Sequence, residues 1–209
     1  MSDDLGFVHR WVPGEAGTAL PTLLLLHGTG GNESDLLSLG SLLWPGVSVL
    51  SPRGNVSENG AARFFRRLAE GVFDIDDLIA RTHELADFVG AASGQYGFDA
   101  GNVIAVGYSN GANIASSMLL LRPGTLAAAV LLRPMVPLEP DNPPDLTGMP
   151  VYLGAGQLDP IVPIDNVTRL AELLKGYGAD VSLTWQPTGH GLTREDVQSA
   201  KDWLAASRE

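Results

Sequence analysis

Short apolar runs of strand length alternate along this chain with longer segments whose apolar residues recur every three or four positions. Residues 22–26, 47–50, 103–106, 126–132 and 151–153 are continuous apolar runs, and residues 181–185 alternate in the manner of an edge or half-buried strand. Residues 7–12 add an early strand. Between the runs, residues 74–92 place Ile75, Leu78, Ile79, Leu85, Ala86 and Val89 at helical spacing. Ile164, Val167, Leu170, Ala171 and Leu174 form a second stripe, and Val197, Ala200, Trp203 and Leu204 a third, with Thr193 and Asp196 placed as its capping pair. Residues 36–43 read as a short helix. A strand with no polar face must be covered on both sides. The pattern therefore predicts an α/β fold with a mostly parallel central sheet and helices on both faces. The 209 residues suit one domain, 1–209. Two stretches, 54–73 and 134–150, show no periodicity and leave the carboxyl ends of strands, where ligand crevices form in such sheets.

Charge narrows the partners. Twenty-four acidic residues against thirteen basic ones give a net charge of −11, which opposes binding to nucleic acid or anionic membranes. No run reaches the ~20 apolar residues of a membrane span. The absence of cysteine excludes disulfides, thiol catalysis and cysteine metal sites. The acidic opening, Met1 to Asp4, has no signal-peptide character, so a cytoplasmic protein is the default expectation. A homodimer is compatible with the sequence but not required by it.

The run at 103–106 ends in Gly107-Tyr108-Ser109-Asn110-Gly111, a G-x-S-x-G motif, and residues 113–121 continue as an apolar helix that stops at Arg122-Pro123-Gly124. A sharp turn from strand to helix presents a serine hydroxyl at its tip in a strained conformation. The following helix supplies N–H groups and positive partial charge to a developing oxyanion. Ser109 is the candidate nucleophile.

A serine hydroxyl needs a base, and the base needs an orienting acid. Of the four histidines, His9 and His83 read as surface residues and His27 as structural. His190 lies in the loop Thr188-Gly189-His190-Gly191 after the last strand and is the candidate base. Asp159, before Pro160 and just past the strand at 151–153, is the candidate acid, with Asp165 as its rival at a helix start. The order Ser109, Asp159, His190 is that of α/β hydrolases. The backbone N–H of Asn110 is one expected oxyanion donor. The second comes from His27-Gly28-Thr29-Gly30-Gly31, with Thr29 preferred and Gly28 as the fallback.

With these residues in place, the chain resembles the small phospholipase/carboxylesterase family of α/β hydrolases, which includes the acyl-protein thioesterases. The resemblance spans nearly the whole chain and rests on residues 26–31, 107–111, 159–163 and 189–191. It implies the same donors, nucleophile, acid and base. The thioesterase branch carries glutamine after the serine, where this chain has Asn110. Gly107 to Asn113, with Arg63-Phe64-Phe65-Arg66-Arg67, looks more like a bacterial carboxylesterase branch.

The expected activity is thus a serine carboxylesterase acting on a small-molecule ester, with no cofactor and no metal. A thioesterase or lysophospholipase on the same triad, lyase chemistry, and a non-catalytic ligand-binding protein of this fold are the alternatives. Residues 134–150 contain six prolines and are too short for a helical cap domain. An open, shallow pocket for short acyl chains follows, with Phe64 and Phe65 as its apolar walls. Arg63, Arg66 and Arg67 read as balance for the acidic surface.

Overall fold

The computed structural model describes residues 5–15 and 20–206, so the acidic start of the chain lies outside the described residues. Strand β1 (His9–Val12) pairs antiparallel with β3 (Ser48–Pro52). The rest of the sheet is parallel: β2 (Thr22–Leu26), β8 (Val103–Tyr108), β9 (Ala128–Leu132), β10 (Pro150–Gly156) and β11 (Asp180–Gln186). The spatial order is β1-β3-β2-β8-β9-β10-β11. The alternating strand at 181–185 is β11, which forms one edge and is half-buried there.

The continuous apolar runs divide between the two faces with period two. Leu24, Leu26, Val103, Ala105, Ala129, Leu131, Val151 and Leu153 point to one core, under α2 (Ile75–Tyr96), α3 (Asn110–Leu121) and α4 (Ile164–Gly176). Leu23, Leu25, Ile104, Val106, Ala128, Val130, Leu132 and Tyr152 point to the other, under α1 (Leu37–Leu43) and α5 (Arg194–Ala206). A one-residue slip in any strand would exchange its two sets.

Helix ends follow their local chemistry. Asp74 caps α2 by accepting the Asp77 N–H at 3.2 Å. Thr193 and Asp196 form a reciprocal capping box at α5: the Asp196 N–H donates to Thr193 Oγ1 at 3.2 Å, and the Thr193 N–H donates to Asp196 Oδ2 at 2.8 Å.

One departure from the sequence reading concerns the crevice. Residues 54–73 are not irregular throughout. They hold two small antiparallel pairs, β4 (Val56–Glu58) with β5 (Ala61–Arg63), and β6 (Arg67–Ala69) with β7 (Val72–Phe73). Strands this short fall below the window in which alternation can be counted. Residues 134–149 contain no helix, as expected, and are fastened to the body: Asn113 Oδ1 accepts the Met135 N–H at 2.7 Å, and Asn166 Oδ1 accepts the Val136 N–H at 2.8 Å. Among the described residues, no helix is long and apolar enough to cross a membrane.

Candidate active site

Strand β8 ends where α3 begins, and Ser109 is the residue between them. Its φ of 52° and ψ of −113° lie in a region that side chains rarely adopt. The turn is held by the Ser109 N–H, which donates to the Leu132 carbonyl at 2.9 Å, and by the Ser109 carbonyl, which accepts the Asn113 N–H at 3.0 Å. Gly111 is required for the turn to fit: a Cβ there would run into the Leu26 carbonyl of the neighbouring strand.

The acid and base arrive from the next two strand ends. The Leu158 N–H donates to the Thr188 carbonyl at 3.0 Å, so the loops after β10 and β11 are tied to each other. His190 Nδ1 lies 2.7 Å from Asp159 Oδ2, and His190 Nε2 lies 2.9 Å from Ser109 Oγ. With Nδ1–H donating to the carboxylate, Nε2 is left to accept the serine proton. The second carboxylate oxygen is also fixed, since Asp159 Oδ1 accepts the N–H groups of Ile161 at 2.8 Å and Val162 at 3.1 Å. The Asp159 side chain is 1% exposed and that of His190 18%, which leaves the imidazole reachable and the acid sealed. Asp165, the rival acid, is exposed in the first turn of α4 and is not brought to the histidine.

On the opposite wall, the Gly30 N–H donates to the Ala62 carbonyl and the Gly31 N–H to the Gly28 carbonyl. Among the described residues the Thr29 N–H has no such backbone acceptor, and Thr29 lines the cleft beside Ser109 and Asn110. Asn110 opens α3, where the first N–H groups have no intrahelical acceptor. His27 stays structural. It is 2% exposed, its Nδ1 lies 2.7 Å from the Gly28 carbonyl, and its Nε2 accepts the Gly54 N–H at 3.0 Å. Burial holds its pKa below the ordinary 6.5, against the opposing pull of the Gly28 carbonyl.

The cleft at Ser109 is small, about 40 Å³, and is lined by Arg63, Arg67, Phe73, Asn113, Met135 and Ile161 among others. Phe64 and Phe65 are not its walls, which corrects the sequence reading. They are 2% and 0% exposed and belong to the core under α2 and α3. The Phe64 ring packs on His27 at 4.8 Å and the Phe65 ring meets Phe73 edge-on at 5.1 Å. Burying both rings outweighs leaving either in the crevice. Their backbone abuts the nucleophile turn, where the Phe64 N–H donates to Asn110 Oδ1 at 2.8 Å.

Two arginines escaped the sequence reading. Arg63 is 3% exposed and not a surface charge; its Nη1 donates to Thr29 Oγ1 at 2.6 Å and its Nε to the Phe65 carbonyl at 3.1 Å. Arg133 is 1% exposed at the end of β9, in contact with the histidine loop. The available signal was a charged residue wedged between the apolar run ending at Leu132 and Pro134. Among the described residues, no group of three or more His, Asp or Glu gathers in a metal-holding arrangement.

Comparison with known proteins shows the family and the fold. The dienelactone hydrolase family matches over residues 67–209. MhqD of Bacillus subtilis (strain 168), whose name assigns it provisionally to the hydrolases, is 50% identical over 189 residues, which cover 90% of this chain and 94% of that one. The Bacillus cereus carboxylesterase structure superposes with a TM-score of 0.94 at 48% identity, covering 96% of this chain and 94% of the other. A carboxylesterase from Mesorhizobium loti superposes with a TM-score of 0.89 at 33% identity, covering 97% and 96%.

Proposed function

Since this chain belongs to the dienelactone hydrolase family, we propose that it is a serine carboxylesterase that cleaves short-chain esters through an acyl-enzyme on Ser109. The chain is a hydrolase of the esterase kind. The finer reading is carried by one observation, the unbroken hydrogen-bonded line Asp159–His190–Ser109 at 2.7 and 2.9 Å.

In this mechanism Ser109 Oγ attacks the ester carbonyl carbon while its proton passes to His190 Nε2. The new C–O bond leaves the carbonyl oxygen negative, and the N–H groups of Asn110 and Thr29 hold it. Asp159 keeps the imidazole in the tautomer that can accept and stabilises its charged form. Collapse of the tetrahedral adduct breaks the bond to the alcohol, which leaves with the proton from His190. Water then attacks the acyl-enzyme, His190 again takes the proton, and the carboxylic acid departs as Ser109 regains its hydrogen.

The preference for short acyl groups is supported by the small cleft, whose apolar lining is limited to Phe73, Met135 and Ile161. Each covered methylene contributes ~0.8 kcal/mol, so a cleft that covers few of them gives long chains little advantage.

A series of p-nitrophenyl esters of increasing acyl length, run on wild type and Ser109→Ala, tests both parts. Wild-type kcat/KM peaks at roughly two to six carbons because burial is limited. Ser109→Ala folds but loses at least ~10³-fold in kcat. A variant that keeps a tenth of wild-type turnover sinks the acyl-enzyme. A kcat/KM that climbs steadily to palmitoyl esters replaces the short-chain reading with a lysophospholipase or thioesterase one.

A further inference from the structure

We propose that Arg133 is a positioning residue for the general base: one buried guanidinium grips the backbone on both sides of His190 and fixes the imidazole between Ser109 and Asp159. The proposal rests on the reading of His190 as the base.

Every N–H of the guanidinium is engaged. Arg133 Nε donates to the Gly189 carbonyl at 3.1 Å and Nη2 donates to the Gly191 carbonyl at 3.0 Å. These are the residues immediately before and after His190. Nη1 donates to the Gly154 carbonyl of β10 at 3.2 Å. The remaining two N–H groups form a two-pronged pair with Asp196, at 2.9 Å to Oδ1 and 2.7 Å to Oδ2. Arg133 and Asp196 side chains are each 1% exposed.

Asp196 is itself anchored. Its Oδ2 also accepts the Thr193 N–H and hydroxyl, at 2.8 and 3.0 Å, so the carboxylate belongs to the N-terminal cap of α5. The guanidinium therefore ties the histidine loop to three elements outside it: the end of β9, the end of β10 and the start of α5. The Arg133 backbone holds the arrangement at a cost, since its φ of 57° lies in the left-handed region. Its N–H is fixed to the Gly154 carbonyl at 2.7 Å.

Stability alone does not account for this. A well-packed apolar pair often holds two elements together as well as a buried ion pair does, because burying two charges is costly. No apolar side chain can donate to the carbonyls on both sides of the histidine. The loop between β11 and α5 carries Gly189 and Gly191 around His190, and glycine leaves that backbone its largest freedom. The bonds from Arg133 remove it. Displacing a catalytic group by about 1 Å can cost on the order of 10²-fold in rate.

The test compares wild type, Arg133→Lys, Arg133→Met and His190→Ala on p-nitrophenyl acetate, with kcat, KM and the pH profile of kcat measured beside thermal unfolding. Lysine keeps the charge opposite Asp196 but cannot reach both carbonyls. Arg133→Lys is expected to stay folded and to lose about 10- to 100-fold in kcat with KM nearly unchanged. Its kcat–pH profile also departs from that of wild type, because the imidazole is no longer held in line between Asp159 and Ser109. Arg133→Met, where it folds, falls further in the same direction. A structural role alone would scale activity with the folded fraction and leave the profile in place, and that result overturns the proposal. So does a folded Arg133→Lys with wild-type kcat and pH profile. If that occurs while His190→Ala is inactive, the base assignment stands and only the positioning role falls. If His190→Ala keeps its activity, both fall.

Discussion

The two walls of the cleft are each buttressed by a buried arginine, and the two are satisfied very differently. Arg133 stands behind the histidine loop with all its donors engaged and a fully buried carboxylate as its counter-ion. Arg63 stands behind the oxyanion loop and shares its carboxylate. Glu58, 31% exposed, lies 3.3 Å from Arg63 Nε but makes its closer contacts, near 2.9 Å, to Arg67. Burial pushes the Arg63 guanidinium below its ordinary range, and neighbouring Arg67 pushes the same way. The base wall is closed into the body of the fold, whereas the oxyanion wall hangs on short surface hairpins. In the proposed mechanism, proton transfer needs one fixed geometry, while the substrate side must admit ligand and release product.

The largest expected effect breaks the line on the base wall. Asp159→Asn should lower kcat by about 10²- to 10⁴-fold, since the imidazole loses both its tautomer control and its counter-ion. Asp165→Asn should change little, because that exposed carboxylate only faces the N-terminus of α4. Steady-state kinetics on one short ester decides this. Loss confined to Asp165→Asn would move the acid to the first turn of α4.

The difference between the walls also explains what the sequence could and could not disclose. Ser109, Asp159 and His190 each sit in a local signature: a glycine-flanked turn, an Asp-Pro at a strand end, a Gly-His-Gly loop. The parallel strands were legible because burial on both faces leaves an unbroken apolar run. Arg133 was not legible, because its partners at 154, 189, 191 and 196 are far away in the chain and meet it only in the folded sheet. Phe64 and Phe65 misled for a related reason. Adjacent aromatics in a loop carry no period that says which side is buried, and the tertiary core took both.

A smaller effect is expected on the oxyanion wall. Arg63→Met should reduce kcat about tenfold, less than the ~10²–10³ of losing an oxyanion donor outright, because the Thr29 N–H remains but its loop is less fixed. KM should hold, as the interaction acts mainly on the transition state. High salt should lower wild-type kcat slightly through the partly exposed Arg67–Glu58 pair and should not alter the sealed Arg133–Asp196 pair. An unchanged kcat in Arg63→Met would show that the Thr29 loop is rigid without it, and the contrast between the walls would lose its functional meaning.

The smallest effect sharpens the contrast through acid. Burial lowers the pKa of His27 below 6.5 in the folded protein, and its Nε2 accepts the Gly54 N–H only while neutral. The unfolded chain therefore takes up a proton first as pH falls. The stabilisation is full above the unfolded value and is lost as pH drops toward the folded one. On the base wall, burial pushes Asp196 up, but its bonds from Arg133 and Thr193 hold it below the ordinary 3.8, so that wall keeps its pairing until far stronger acid. Between about pH 7 and about pH 5.5, in the range where histidine titrates, amide-exchange protection at Gly54, corrected for intrinsic rate, should fall. Protection of the Arg133 N–H, bonded to the Gly154 carbonyl, should persist. His27→Gln, whose amide can donate to Gly28 and accept from Gly54 without titrating, should flatten the Gly54 profile. Equal loss at both amides would mean that the two walls open together, and that the oxyanion side is no looser than the base side it faces.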